Sequence, residues 1–552
     1  MKKIKLKFVF IAFLITTFIT HVLLAQTNIS AGNVSGTWTK ANSSYYILGE
    51  ITIPNYSTLT IEPGVNVIFK GHYKFNVQGS LLAVGTQFDS IRFTAEDTQT
   101  GWHGIRFYNT PNTNDTSKIF YCSFKYGKAN TGSVFDRCGG AIMIKEFNKV
   151  LVSNCLFDSN MQIGAGWSPP EASPAIYIYY ASPIVRNSTF TNNGGSKGSA
   201  VGCITCPNAI VSNNIFLNNS GAFGPIVYAS NSNGIISGNI ISNNVATWGG
   251  GGILVDNALV SGSSSPRVEN NIIIHNQAPI GGGIYCLTNA NPVLINNTIA
   301  YNRATSGGGI YYDSNSDGIL INNILFGNTA TALGNQVFIN DIGSDPVFKY
   351  CDVRGGKEGF GGAGAGANYT GAYEYNIDSD PLFVNAASDN YSLSNSSPCI
   401  GAGIDSIEVA GFWYKVPPFC ISGNMRPSPT GSKPDIGARE SLLGAPVTGV
   451  EPEITNLKEF ILNQNYPNPF NPTTTIGFGI PEKGNVRLSI LNILGEEIRV
   501  LLNEEKEAGY HSIDFNGSDL TSGVYFYRIQ VVDPSSSSGQ VFIDTKKMVL
   551  LK

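Results

Sequence analysis

Val293-Leu-Ile-Asn-Asn-Thr-Ile-Ala-Tyr-Asn302-Arg-Ala-Thr-Ser-Gly-Gly-Gly-Ile310-Tyr-Tyr-Asp313 is followed by Ile319-Leu-Ile-Asn-Asn-Ile-Leu-Phe-Gly-Asn328. The second Asn of the pair returns after 26 residues, at 297 and 323. Upstream, related strings carry Asn154, Asn187, Asn214, Asn239 and Asn271, so successive steps are 33, 27, 25, 32, 26 and 26. Tyr121 and Tyr350 extend the series at steps of 33 and 27. A second string shares the period. Its central residues are Ile142, Ile176, Val201, Val227, Ile253, Ile284 and Ile310. Two markers with one period identify an internal repeat, and the repeat governs the fold.

Each unit is rich in β-branched residues, is broken by Gly and Asn, and lacks helical spacing, so it supplies short strands joined by turns. Three residues before each repeat Asn stands Leu151, Ile184, Val211, Ile236, Val268, Leu294 or Leu320, an aliphatic column that should face a core. Five residues after the Asn stands Asn192, Asn219, Asn244, Asn276, Asn302 or Asn328. Stacked strands with Asn ladders describe a parallel β-helix, with coils about 4.8 Å apart. Leucine-rich repeats share the period, but their Leu-x-x-Leu-x-Leu frame is missing. The longer steps predict loops at Ala165–Ser173 and Ser261–Pro266. Ile51-Thr-Ile53, Leu59-Thr-Ile61, Val65-Asn-Val67 and Ile91-Arg-Phe93 predict the first coils and an N-terminal cap.

The chain has 552 residues, of which 13% are charged, and a formal net charge of −4. That balance excludes a nucleic-acid partner, because phosphate binding needs a basic surface. With 62 Gly and 27 Pro beside 42% hydrophobic residues, it is a turn-rich folded chain. Lys2, Lys3, Lys5 and Lys7 precede an apolar run from Phe8 to Leu24, and Ala25 stands at a cleavage point, so residues 1–25 read as a secretory signal peptide. No later stretch is apolar enough to span a membrane. The nine cysteines lie beyond residue 25, where disulfides are permitted, and Cys399 and Cys420 could pair. Cys203-Ile-Thr-Cys206 has half of a zinc spacing and no second half, so neither a metal nor any other cofactor is expected.

Residues 441–459 form a Pro- and Gly-containing linker, and the pattern then changes. Asn465-Tyr-Pro-Asn-Pro-Phe-Asn-Pro472 must be extended. Strict alternation follows at Ile476, Phe478, Ile480 and at Val486, Leu488, Ile490. Asn516-Gly517 and Ser522-Gly523 mark turns. Short alternating strands over about ninety residues predict an Ig-like β-sandwich. The fold class is therefore all-β: a parallel β-helix over 26–440, then a sandwich over 460–552.

Two resemblances carry these readings further. Gly79-Ser-Leu-Leu-Ala-Val-Gly85, Ile91-Arg-Phe-Thr94, Trp102-His-Gly-Ile-Arg-Phe107 and Gly281-Gly-Gly-Ile-Tyr285 resemble bacterial right-handed β-helix proteins of the pectin-lyase-like superfamily. Asp380-Pro-Leu-Phe383, Ser397-Pro398 and Pro434-Asp-Ile-Gly-Ala438 are similar to their closing segments. The superfamily holds lyases, hydrolases and adhesins, so this resemblance implies fold and leaves activity open. Leu462-Asn-Gln-Asn-Tyr-Pro-Asn-Pro-Phe-Asn-Pro472, Asn492-Ile-Leu-Gly495, Ala508-Gly-Tyr-His511, Ser522-Gly-Val-Tyr-Phe-Tyr527 and Lys546-Lys-Met-Val-Leu-Leu-Lys552 resemble the C-terminal sorting domain of type IX secretion. That resemblance implies passage through the periplasm, recognition of residues 460–552 by an outer-membrane translocon, and a secreted or cell-surface product.

Two function classes fit an exported β-helix. One is a non-catalytic module that binds an extracellular polysaccharide or another cell. The other is a polysaccharide lyase, which would use calcium, or a glycoside hydrolase. The residues after the second marker include Tyr177, Tyr228, Tyr285 and Tyr311. If the marker points inward these point outward, as a platform for sugar rings. The catalytic candidates are Asp256 and Asp313, which share a column with Leu287 between them, and Asp317 in the following turn. Two coils place the first pair roughly 9.6 Å apart, beyond a retaining pair and at the upper edge for an inverting one. No serine triad, zinc motif or nucleotide fingerprint occurs, and Gly359–Gly366 lacks the ending of a phosphate loop.

Overall fold

The computed structural model describes residues 26–162, 173–257, 263–447, 460–465, 468–532 and 541–550. The signal-peptide segment 1–25, residues 163–172 and 258–262, which take in nearly all of the first expected loop and the first two residues of the second, and residues 448–459 of the linker lie outside them.

Short strands follow one another in a fixed rota and pair parallel with the strand one coil away, forming sheets of 13, 12 and 13 strands. The first coil already begins at Thr27–Ile29, Gly32–Asn33 and Gly36–Trp38. Inward residues stack on like residues. Phe93, Phe124, Phe157, Phe190 and Phe216 form a column in the first sheet with ring centroids 4.7–4.9 Å apart. Identical side chains at identical heights give offset-stacked rings at every step, a gain beyond simple burial.

The turns obey a second rule. Just after the third-sheet strand, one residue adopts a left-handed backbone: Tyr121, Asn154, Asn187, Asn213, Gly238, Asn270, Asn296 and Asn322, with φ between 48° and 64°. Asn tolerates this conformation better than most side chains. The next residue turns inward and bonds along the stack. Ser188 N–H donates to Asn214 Oδ1 at 2.9 Å, Asn214 to Asn239 at 2.9 Å, Asn239 to Asn271 at 2.9 Å and Asn271 to Asn297 at 3.0 Å. The repeat Asn of the sequence analysis is thus two residues. From Asn214 onward it is the buried ladder member. Asn154 and Asn187 are the left-handed residues, and Cys155 and Ser188 take the ladder places, with Cys155 N–H donating to Ser188 Oγ at 3.0 Å.

The second ladder shows the same offset. It runs Asn160, Asn193, Asn219, Asn244, Asn276, Asn302 and Asn328; Asn192 is its exposed left-handed neighbour. Asn276 donates both its backbone N–H and its side-chain Nδ2 to Asn302 Oδ1 at 3.0 Å, and Nδ2 also donates to Ile241 O at 2.9 Å. Replacing Asn276 by Leu leaves buried backbone groups without partners, and should lower stability by about 1–3 kcal/mol. Asn192→Gly, at the surface and at ease with the left-handed backbone, should cost less than about 0.5 kcal/mol. Denaturant unfolding of the two variants checks the difference.

Residues 377–447 form the closing segment, with antiparallel pairs at Phe383–Asn385 with Asn390–Leu393 and at Ser406–Val409 with Phe412–Lys415. At its centre Arg426 and Glu440 make an ion pair at 2.9 Å, with both side chains fully buried. Glu440 accepts N–H groups of Ser428 at 3.0 Å and Asp435 at 3.1 Å. Asp435 accepts those of Gly401 at 2.8 Å and Ser441 at 2.6 Å. None of the nine cysteines forms a disulfide, and all are buried. Cys399 and Cys420, for which pairing was open, form no disulfide; Cys399 Sγ donates to Asp352 Oδ2 at 3.2 Å.

The C-terminal strands are antiparallel. Ile461–Leu462, Thr473–Ile480 and Gly509–Asn516 form one sheet. Gly484–Leu491, Glu497–Lys506, Gly523–Val532 and Val541–Leu550 form the other. Ile476, Phe478, Ile480, Val486, Leu488 and Ile490, the alternating residues, are buried in one cluster with Tyr527, Ile529 and Met548. The Asn-rich start is tied to the last strand: Asn468 Oδ1 accepts Val549 N–H at 2.8 Å and Gln464 Nε2 donates to Lys547 O at 2.7 Å.

Candidate functional site

The outward side of the second sheet carries the candidate residues. Its register pairs Val201 with Ile226, Ile226 with Ile253, Ile253 with Ile284 and Ile284 with Ile310. The marker at this coil is therefore Ile226, not Val227, and a one-residue slip reverses the face of every neighbour. Tyr228 consequently points inward, in the column of Cys203, Val255, Cys286 and Tyr312, and its hydroxyl donates to Ala209 O at 3.1 Å.

The outward column is Arg106, Met143, Tyr177, Gly202, Val227, Leu254, Tyr285, Tyr311 and Phe338. It does point away from the core, but it is no open platform. Tyr177 is fully buried, Tyr285 is 2% exposed and Tyr311 is 7% exposed. In the middle coils a fourth, five-stranded sheet comes in chain order between the first and the second, and it includes Ser220–Phe223 and Val245–Gly249. Its Phe223, with Ile280 beyond it, packs in one cluster with the column. Trp248 lies 6.3 Å from Tyr285, and Tyr311 stacks on Phe338 at 4.8 Å. The glycines that lead into the sheet permit this packing: a Cβ on Gly282 would stand 2.5 Å from Gly308 O, and Gly281 has φ +61°.

The carboxylates occupy the expected column, Asp256 beside Leu287 and Leu287 beside Asp313. Asp256 is buried. Asp313 accepts the Tyr285 hydroxyl at 3.2 Å and Asn340 Nδ2 at 3.0 Å. Burial, followed by the charge of Asp313, holds the Tyr285 phenol well above its usual range. Asp317 joins neither. It accepts Asp345 N–H at 2.5 Å, and burial with the charges of Asp345 and Asp341 raises its pKa. Among the described residues no group of three or more His, Cys, Asp or Glu is arranged to hold a metal ion.

An accessible surface begins two residues further along the same strands. Lys145 pairs with Tyr179, and Tyr179 with Ile204, as an outward column at the strand ends. Tyr180 follows with a left-handed backbone and is 48% exposed; Tyr108 is 41% exposed. Phe135 lies 6.3 Å from Tyr108 and 5.1 Å from Tyr179, and Tyr179 meets Tyr180 edge-on at 4.6 Å. Lys145 Nζ lies 5.0 Å from the Tyr108 ring and 5.2 Å from the Phe135 ring. Ammonium groups so placed are attracted to the ring faces. Beside Tyr180 lies an open groove of about 430 Å³ lined by Asn148, Ala181, Ser182, Thr205, Pro207 and Asn208.

Phe135 is held in this row by a polar cluster. Asp136 pairs with Lys74 at 2.7 Å. His103 Nε2–H donates to Asp136 O at 2.8 Å, and the Arg106 guanidinium donates to the carbonyls of Cys138 and His103. Burial, then the charge of Arg106, presses the His103 pKa down to about 3, so the imidazole is neutral. Tyr108, Phe135, Lys145, Tyr179 and Tyr180 are not among the residues that the repeat pattern singles out. The Tyr177-Ile-Tyr179-Tyr180 run was the available signal, because a strand that buries its first Tyr presents the later ones at its end.

Residues 140–303 and 258–397 match the family described as right handed beta helix region, and residues 464–543 match the secretion system C-terminal sorting domain. This is a right-handed β-helix protein with a secretion sorting domain. The type IX sorting domain marks the β-helix protein for export to the cell surface or beyond. No curated protein and no solved structure matches the β-helix protein. Among its described residues no helix is long and apolar enough to cross a membrane.

Proposed function

We propose that the exported β-helix retains an extracellular polysaccharide without cleaving it. The observation that carries this reading is the row of Tyr108, Phe135, Tyr179 and Tyr180 with Lys145 beside an open groove. Phenol rings offer an apolar face to the C–H side of a sugar and a polar tip to its hydroxyls. Asn148, Ser182, Thr205 and Asn208 place amides and hydroxyls along the groove. A lyase or hydrolase needs carboxylates free to act on substrate; Asp256 is covered, the half-buried Asp313 is engaged by Tyr285 and Asn340, and the exposed Asp317 accepts the Asp345 N–H.

The test is incubation of the purified protein with a panel of polysaccharides, calcium present. Retention without new chain ends is the expected result; release of oligosaccharides would replace this reading by the enzyme one. Tyr108→Ala combined with Tyr180→Ala should weaken retention at least about ten-fold, the size of one good contact, with an unchanged melting temperature. Equal retention would move the site elsewhere.

A further inference from the structure

In the sorting domain the strands Gly484–Leu491 and Glu497–Lys506 are joined by Asn492-Ile-Leu-Gly-Glu496. The turn is tightly built. Asn492 Oδ1 accepts the N–H groups of Leu494 at 2.9 Å and Glu496 at 3.0 Å, and Asn492 Nδ2 donates to the Glu496 carboxylate at 2.7 Å. Asn492 N–H donates to Glu496 O at 2.9 Å, and Gly495 N–H to Asn492 O at 3.0 Å. Gly495, at φ 82°, supplies the left-handed residue that the turn requires.

Asn492 and Gly495 suit such a turn, but Ile493 and Leu494 do not, since turns favour residues that bond their own backbone or reach positive φ. The two side chains stand in water, 70% and 77% exposed, and among the described residues no other Ile, Leu or Val is as exposed. Six large apolar side chains of the described sorting domain are exposed, and four of them, Ile493, Leu494, Ile498 and Val500, fall on this turn and the strand that leaves it. That strand is a free edge: its sheet runs from Glu497–Lys506 through Gly484–Leu491 and Gly523–Val532 to Val541–Leu550. Apolar side chains gathered on one exposed strip mark a contact. A turn already held by five hydrogen bonds loses little freedom when a partner takes it.

We propose that this strip is where the secretion machinery grips the sorting domain, with Ile493 and Leu494 seated in an apolar cleft of one of its proteins. The domain itself supplies the partner. It is the part of the chain that the secretion system handles, and the matched residues 464–543 include the turn and the whole strip. Most of the domain's exposed apolar side chains therefore lie together on a module whose role is to be bound. A membrane surface fits less well, because the exposed Glu496 and Glu497 adjoin the tip and would have to leave water with it. The proposal rests on export, not on the groove near Tyr180.

The test uses the full chain in its native host, carrying Ile493→Ser together with Leu494→Ser. Whole cells are treated with protease and then fractionated. Surface delivery of this double variant should fall about ten-fold or more, with the chain collecting in the periplasm and its melting temperature unchanged. Ile493→Val with Leu494→Met should keep delivery. Ile543→Ser, an exposed position on the opposite edge strand, should leave it normal. Normal delivery of the double Ser variant would overturn the proposal; the sorting assignment would still stand if a chain lacking residues 460–552 stays trapped. Loss of delivery with a lowered melting temperature would make the turn a packing element and overturn it too. So would wild-type dimers in sedimentation, or pelleting with phosphatidylethanolamine vesicles, that the double variant abolishes, since these give the strip to a second copy or to lipid.

Discussion

Replacing Arg426 by Met should destabilise the closing segment by about 3–5 kcal/mol, because it leaves a buried carboxylate without its counter-charge. Glu440 is fully enclosed and sits beside Asp435, which burial and the charge of Glu440 already push up to about 7. Without the guanidinium both carboxyls resist ionisation. A group whose folded pKa lies above its unfolded value binds extra protons in the folded state, so its contribution falls as pH rises through that window. The variant should therefore be weakest above pH 7 and recover as pH falls toward 5. Replacing Glu440 by Gln should be about as costly, because it leaves the buried Arg426 guanidinium without its carboxylate and that group cannot shed its proton. Thermal unfolding of both variants across this pH range checks the magnitude and the sign. A flat pH profile for Arg426→Met would show that the carboxyls reach water.

Deleting residues 460–552 should abolish delivery to the cell surface and leave the chain in the periplasm. The deleted part has its own core, around Ile476, Phe478, Leu488 and Tyr527, and the match to the sorting domain falls inside it. The β-helix coils keep their own ladders and stacked rings when it is gone. Fractionation of the native host, with protease added to whole cells, reads the result. The full chain should be cleaved from outside or recovered from the medium, and the shortened one should be protected. Surface exposure of the shortened chain at the normal level would sink the assignment of this region as the export signal.

The repeat was readable because every coil solves the same problem with the same residues. An inward aliphatic, a left-handed turn and a buried amide recur at a fixed spacing, and Ile, Asn and Gly are the residues suited to each. The register was less readable where neighbours had similar chemistry. Asn213 and Asn214 are both Asn, so the string did not say which one turns and which one bonds the next coil; Asn154 followed by Cys155 hid the switch. Ile226 and Val227 are both aliphatic, and the slip between them placed Tyr228 on the wrong face. The site was harder still. Period-two alternation told inside from outside, but outside a sheet is not the same as facing water. Phe223, Ile280 and Trp248 come from other parts of the coil, and no local pattern announces that they fold over Tyr285.

The nine thiols give the exported protein an unusual relation to its surroundings. A thiol reacts as its thiolate, and burial lifts Cys138 to about 12 and sets Cys122, Cys203 and Cys399 well above their usual value. At these four thiols an oxidant in the medium meets neither a charged sulfur nor an accessible one. Ageing outside the cell is then governed by how often a coil opens, not by how much oxidant is present. A body that resists weathering in this way needs no covalent staples, and each thiol becomes a latent reporter: alkylation of a given cysteine by a reagent in the medium would time the opening of the coil that hides it.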